Sequence, residues 1–522
     1  MRRFLFYLLL FIAVNAAAQE RYSVSGKPLT APVFIGADKN FVSIITAEAP
    51  GEKISILQSF AFETENKSAR LITSAKVYAL SGKKDTLIGV LNKPFKNTGA
   101  VKLNYALPKG ISTIKISLEI LPESSIESFI KFKSASVIIG GKKYPLDKKF
   151  SSYRIGHIIR KPGDYNVKSF RIPGLAASNK GTLLAVYDIR KNNSKDLPAD
   201  IDVGLSRSTD EGQTWLPMQV IMDMGEPHDQ NGIGDPSILV DKNSGTIWVA
   251  ALWSKGNRSW WGSGPGLTPD ETGQFMLVKS TDDGLTWSAP INITKQVKNP
   301  KWNLFFQGPG NGITLSNGAL VFPAQFKDST AMPYSTIIYS YDNGKTWKAG
   351  KGAKSNTTEA QVVELTNGLL MLNMRDNRGG SRSVAVSSDM GETWIEHSSS
   401  RSELIEPVCM ASFIRVANEV YGIKNSVLAF SNPASKKNRD SLTVKFSLDE
   451  GRTWQGLRNK PILIDERDSY GYSCLTKIDE NHLGLLYEGI DEIFFVKIEI
   501  PEAIIKKEIN DFDGGSGVIR KK

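Results

Sequence analysis

Five aspartates recur in this chain at the same place in one octapeptide, and carboxylates at fixed spacing are groups that can serve as general acids, bases or nucleophiles. Asp210 stands in STDEGQTW (208–215), Asp282 in STDDGLTW (280–287) and Asp342 in SYDNGKTW (340–347). Asp389 and Asp449 stand in SSDMGETW (387–394) and SLDEGRTW (447–454). Recurrence argues against catalysis, because a residue repeated identically in module after module belongs to the scaffold. Function must come from residues that do not repeat. The 4 His and 2 Cys among 522 residues show no metal-ligand spacing. The glycine clusters Gly308-Pro309-Gly310 and Gly379-Gly380 lack the strand–glycine–helix context of a phosphate loop. Neither a metal nor a cofactor is expected.

The elements that must position any site are strands. In each octapeptide the Ser and Asp side chains can bond the turn backbone, the Gly permits a positive φ, and the Trp can pack the turn onto a sheet. Strand-like runs such as Phe275–Lys279 and Ser335–Tyr339 precede the copies, and successive tryptophans lie 72, 60, 47 and 60 residues apart. One hairpin per module of that length reads as the blades of a propeller, a radial repeat of four-stranded sheets. Residues 21–150 contain no Trp. Their strand-like runs (Phe41–Thr46, Ala75–Leu80, Thr113–Ile120, Ala135–Ile139) are separated by turn signals at 50–51, 81–82 and 140–141, the pattern of a β-sandwich. The expected architecture is all-β: a sandwich over 19–150, then a propeller over 151–522 with five boxes in six blades.

The residues that do not repeat carry a resemblance. Phe170-Arg171-Ile172-Pro173, Thr358-Glu359-Ala360-Gln361-Val362 and Gly471-Tyr472-Ser473-Cys474-Leu475 resemble segments of the bacterial exo-sialidases, or neuraminidases, of glycoside hydrolase family 33. The octapeptide is similar to that family's Asp box, which also occurs in unrelated propellers. The likeness spans roughly residues 151–500. It implies a six-bladed propeller and retaining hydrolysis of terminal α-linked sialic acid, without metal or cofactor. It also implies an arginine triad of Arg171, Arg375 and Arg439, residues 204 and 64 positions apart that only a fold could bring together. Guanidinium forks bind carboxylates through paired, charge-assisted hydrogen bonds, and sialic acid carries a carboxylate on its anomeric carbon.

The resemblance further implies Tyr472 as nucleophile with Glu359 as its base. A neutral phenol can approach an anomeric carbon that already bears a carboxylate, but with an ordinary pKa of about 10 it needs an adjacent base. Tyr470 is a competitor two residues away. The acid/base falls on Asp196, six residues after Arg190, with Asp200 and Asp202 as rivals. Arg190 is implied near the substrate carboxylate or ring substituents, and Asp235 opposite the N-acyl amide or a ring hydroxyl. Glu488 is implied as a carboxylate that holds Arg171. An aromatic wall is expected from Trp253, Trp260, Trp261 or Trp302. A non-catalytic sialic-acid-binding propeller and a sialidase-type transglycosidase are the rival readings. The first need not keep Tyr472, Glu359 and Asp196 together, and the second shares all of them.

Arg2-Arg3, the apolar run Phe4–Val14 and Ala16-Ala17-Ala18 read as a signal peptide over 1–18, so a periplasmic or secreted protein is expected. That run is too short to span a bilayer, and no membrane span is expected. Net charge is +11, and removing Arg2 and Arg3 takes it down by two, to +9. The lysines are dispersed with no basic stripe interleaved with aromatics, so sialylated glycans rather than nucleic acid are the expected partner. Cys409 and Cys474 could pair or stand as buried thiols.

Overall fold

The computed structural model describes residues 21–49, 54–417, 427–454 and 461–500. The expected leader and the Pro50-Gly51 turn lie outside the described residues. Strands dominate, and the α-helices among the described residues are two short segments, Asn66–Leu71 and Thr294–Val297. No helix among them is long and apolar enough to cross a membrane. The chain forms two compact units. One holds the described residues up to Leu29, Phe41–Glu119 and Lys131–Ser151; the other holds Thr30–Asn40, Ile120–Ile130 and Ser152 onward.

The first unit contains strands of two sheets. One runs in the order Ser23–Pro28, Asn40–Glu48, Ile111–Ile120, Ile72–Ser81, Lys84–Asn92. The other pairs Lys142–Pro145, Phe129–Ile139, Ser55–Thr64 and Thr98–Leu107. Alternation sets their faces, since successive strand side chains point oppositely. Phe60, Phe62, Val101, Phe132 and Val137 are all buried. The expected turns at 81–82 and 140–141 carry positive φ at Gly82, Gly140 and Gly141.

The second unit contains six successive antiparallel runs of four strands. The first is Ser169–Ala177, Leu183–Arg190, Ile201–Ser208 and Gln219–Met222. The second to fifth begin at Ile233, Leu304, Thr357 and Ser412. The last joins Ser473–Lys477, His482–Glu488 and Ile493–Glu499 to Ser151–Arg160, on which Val33–Ile35 adds in parallel. Hydrophobic cores lie between consecutive sheets. Leu239, Phe275 and Phe322 fill the space between the second and third, and Val444, Phe446, Leu485 and Val496 that between the fifth and last.

Each octapeptide closes the same hydrogen-bonded turn. In the first copy Ser208 Oγ donates to Asp210 Oδ1 at 2.8 Å and accepts from the Gly212 amide at 2.8 Å. Asp210 takes the Thr214 amide at 2.9 Å and its hydroxyl at 2.6 Å. The Ser–Gly and Asp–Thr bonds repeat in the other four. The five aspartates are therefore spent on turns. Glycine is required at 212: its φ is +90°, and a Cβ there would lie 2.1 Å from Phe495 Cε1. Trp347 is 2% exposed and packs edge-on against Trp248 at 6.1 Å. Trp347→Ala is expected to cost about 3–5 kcal/mol, the range for emptying a buried aromatic site. Urea unfolding measures it, and an unchanged midpoint would remove this Trp from the core.

Candidate active site

Arg171, Asp235 and Glu359 each sit near the start of the first strand of a sheet, and local backbone irregularity aims them. The register between Ser169–Ala177 and its neighbour shifts between Arg171 and Gly174. The same kind of shift occurs between Gly234 and Ser237, and between Thr357 and Ala360. Such bulges re-aim side chains out of a regular ladder, here those of Arg171, Asp235 and Glu359. Ile172 and Asp235 hold φ of +59° and +58°, left-handed values uncommon outside glycine.

These residues meet in one cavity of about 440 Å³, lined by Arg171, Asp196, Asp235, Glu359, Arg375, Arg439 and Tyr472 among others. At its base the Tyr472 hydroxyl donates to Glu359 Oε1. Arg375 Nη1 donates to Glu359 Oε2 at 2.6 Å and to Tyr472 Oη at 2.9 Å. Arg171 and Arg439 each lie 5.7 Å from the Tyr472 ring centre. Three guanidiniums, brought from the first, fourth and fifth sheets, thus surround one phenol. Glu488, 1% exposed, ties two of these parts together. Its Oε1 accepts from Arg171 Nε at 3.1 Å and the Ile172 amide at 2.9 Å, and its Oε2 from the Tyr472 amide at 3.0 Å. The competitor Tyr470 faces elsewhere, its hydroxyl on Asp491 at 3.3 Å and its ring under Arg171.

Asp196 reaches the cavity from the loop after Arg190. Its Oδ1 lies 2.8 Å from Arg190 Nη1 and 3.4 Å from Arg171 Nη1. The rivals do not line the cavity: Asp200 accepts from Asn192 at 3.2 Å, and Asp202 is buried 3.7 Å from Lys191. Arg190 is 1% exposed and is also absent from the cavity lining. Its fork is occupied by Asp188 at 2.9 and 3.1 Å, with the Ser194 carbonyl at 2.7 Å. Asp188, which also accepts the Asp235 amide at 2.9 Å, is missing from the sequence reading. It lies two positions before Arg190 on one strand, hence on the same face, and that periodicity is the signal that could have found it.

Of the four candidate tryptophans, Trp260 and Trp261 line the cavity, beside Leu197, Leu252 and Phe306. Trp302 stacks on Phe326 at 3.9 Å instead. Both cysteines are free and buried, and burial pushes each thiol up to about 12.

Electrostatics separate the carboxyl groups. Burial pushes the Tyr472 phenol well above its ordinary value, Glu359 adds to the rise, and Arg375 and Arg439 pull against it. The phenol is held neutral. Burial raises Asp235 strongly, with Asp188 and Asp196 adding, and raises Asp188 to about 6 against the pull of Arg190. Burial also acts upward on Asp196, but Arg190 and Arg171 outweigh it and hold that carboxyl below its usual range. Away from the cavity, Asp202, Asp223 and His228 bring one ligand atom each within 4.8 Å of one another. His228 there is already paired with Asp223 at 3.4 Å and Glu226 at 3.2 Å.

Residues 172–488 match the BNR repeat-like domain family. Over 419 residues the chain is 49% identical to a sialidase of Bacteroides fragilis, spanning 78% of this chain and 77% of that one. In three dimensions it is similar to Hadza microbial sialidase Hz136, with a TM-score of 0.85 and 39% identity over 91% of this chain and 99% of that one. It is also similar to a Trypanosoma rangeli sialidase in complex with 2,3-difluorosialic acid, a covalent intermediate. That match has a TM-score of 0.56 and 25% identity, over 67% of this chain and 56% of that one.

Proposed function

This chain belongs to the sialidase family and is an exo-α-sialidase, a glycoside hydrolase, and from that premise we propose that it releases terminal α-linked sialic acid with retention, through a sialyl-tyrosine intermediate. The observation that carries this reading is the hydrogen-bonded group of Tyr472, Glu359 and Arg375 at the base of the cavity. Arg171, Arg375 and Arg439 grip the substrate carboxylate. The Tyr472 hydroxyl passes its proton to Glu359 as its oxygen bonds to the anomeric carbon. The glycosidic oxygen leaves with the proton of Asp196. In the second half Asp196 takes a proton from water, whose oxygen displaces Tyr472 from the anomeric carbon, and Glu359 returns the proton to the phenol. Retention follows from two displacements at one carbon. The covalent intermediate of the Trypanosoma rangeli relative supports this route.

An acid must hold a proton, yet Arg190 and Arg171 hold the Asp196 carboxyl below its usual range. The substrate carboxylate resolves this conflict. Docked on Arg171, it replaces Asp196 as that guanidinium's partner and adds a negative charge nearby, and both effects raise the Asp196 pKa. Asp235 faces the N-acyl amide or a ring hydroxyl, with Trp260 and Trp261 as the apolar wall. Arg190 serves the substrate through Asp196, which it holds.

Asp196→Ala tests the acid. A good leaving group needs little protonation, so an aryl sialoside should lose about tenfold or less while natural glycans lose about 10²–10⁴-fold, the range of proton-transfer catalysis. Equal losses on both substrates would remove Asp196 from that role. Incubation with α2-3, α2-6 and α2-8 sialosides, with product identification, tests the reaction itself. Free sialic acid is expected, whereas an intramolecular or transferred product would indicate a transglycosidase.

The six sheets are read as the blades of one propeller, the last closed by Ser151–Arg160. The two sheets of the other unit are read as a β-sandwich accessory domain. Export to the periplasm or medium is proposed from the leader pattern over residues 1–18.

A further inference from the structure

Arg382 and Glu406 form an ion pair with both side chains completely withdrawn from solvent. Taking two charges out of water costs more than their attraction repays unless further hydrogen bonds complete the set, so such a pair is a poor source of stability. Here four of the five guanidinium N–H donors and both carboxylate oxygens have partners. Arg382 Nε donates to Asn373 Oδ1 at 2.7 Å and Nη2 to the Asn373 carbonyl at 3.2 Å. Its Nη1 reaches Glu406 Oε2 at 3.1 Å and the Cys409 carbonyl at 2.7 Å. Glu406 Oε1 takes the Asp376 amide at 2.9 Å, and Oε2 takes the Cys409 amide at 3.0 Å.

The two amides held by Glu406 have telling neighbours. Asp376 directly follows Arg375. Cys409 directly follows Val408, whose carbonyl accepts from Arg439 Nη2 at 3.0 Å. Val408 holds φ of +56°, a left-handed conformation that is an outlier for a β-branched side chain and persists only when its surroundings over-determine it. Arg382 and Glu406 supply that constraint by gripping both polar groups of Cys409. Cys409 in turn packs against Ile172 and Tyr472. One buried carboxylate therefore joins the strand of Arg375 to the segment on which Arg439 rests.

We propose that the Arg382–Glu406 pair is the positioning device of the carboxylate clamp, fixing Arg375 and Arg439 at the separation that a single substrate carboxylate requires while touching no substrate itself. This rests on the clamp described under the proposed function. The test compares the affinity of a 2,3-unsaturated sialic acid, as the free acid and as its methyl ester, for the wild-type chain and for Glu406→Gln. The wild type should prefer the acid by about a hundredfold or more, because only the acid makes charge-assisted bonds. Glu406→Gln should lose about tenfold to a hundredfold on the acid, the cost of displacing a binding group by about 1 Å, and little on the ester. A general loosening would weaken both ligands alike and leave the ratio unchanged, and that result overturns the proposal. A wild type indifferent to esterification would instead overturn the clamp. If Glu406→Gln does not fold, Arg382→Lys, which keeps the charge but not the fork, carries the same expectation and the same refutation.

Discussion

Arg375→Ala should lower kcat/KM by about 10³-fold or more, the larger part of it in kcat. Arg375 is the one member of the triad that touches both the nucleophile and its base, through bonds of 2.9 Å to Tyr472 and 2.6 Å to Glu359. Removing it takes away a third of the carboxylate clamp and also strands Glu359 beside the phenol without its cation. Hydrogen bonds to charged groups are worth about 1.5–3 kcal/mol each, the half-buried Arg375 makes two of them besides its share of the clamp, and each 1.36 kcal/mol is tenfold in rate. Arg375→Lys should fall between, since an ammonium keeps the charge but lacks the planar paired donors that bind a carboxylate bidentately. Steady-state kinetics on an aryl sialoside measure both, and an Ala variant within tenfold of wild type would exclude Arg375 from the clamp.

Tyr472→Phe should reduce hydrolysis by about 10³-fold or more while sialic acid still binds. The change deletes one oxygen, so the ring keeps its place among Ile172, Cys409 and Met410. The three guanidiniums that hold the carboxylate are untouched. Loss of a nucleophile should appear in kcat far more than in KM, because the oxygen bonds carbon only on the way to the intermediate. A variant that kept normal turnover would move the nucleophile elsewhere. One that lost sialic acid binding as well would make Tyr472 a structural support for the arginines.

The parts of this molecule that repeat were the most legible. The five octapeptides announced their turns, because Ser, Asp, Gly and Thr bond one another within eight residues. Five of the six sheets carry such a turn, and the last, built on Ser473–Lys477, carries none. Arg171, Glu359, Arg375, Arg439 and Tyr472 were legible through short motifs, and the fold gathers all of them around one cavity. What stayed hidden depended on distant partners. Val33–Ile35 is too short for periodicity to show, and it joins the second unit because it pairs beside Ile155–His157 and Phe34 stacks on Phe494 at 4.2 Å. Its company is more than 100 residues away in one case and more than 450 in the other. Asp188 was overlooked within a buried strand that reads as apolar core. Glu406 carries no local mark, since its neighbours are Ile405, Pro407 and Val408 and its partners Asp376 and Arg382 lie 30 and 24 residues away. The choice among four tryptophans needed the cavity itself.

Trapping the intermediate tests the central claim most directly. A 3-fluoro sialyl fluoride places fluorine beside the anomeric centre, which slows both displacements by destabilising the oxocarbenium-like transition state, while the good leaving group still lets the first occur. Incubated with the wild-type chain, digested and mapped by mass spectrometry, it should leave one fluorosialyl group on the peptide containing Tyr470 and Tyr472, and fragmentation should place it on Tyr472. Tyr472→Phe should carry none. An adduct on Tyr470, on Glu359 or on any other residue, or turnover of the reagent with no covalent species at all, would contradict a sialyl-tyrosine mechanism at this site.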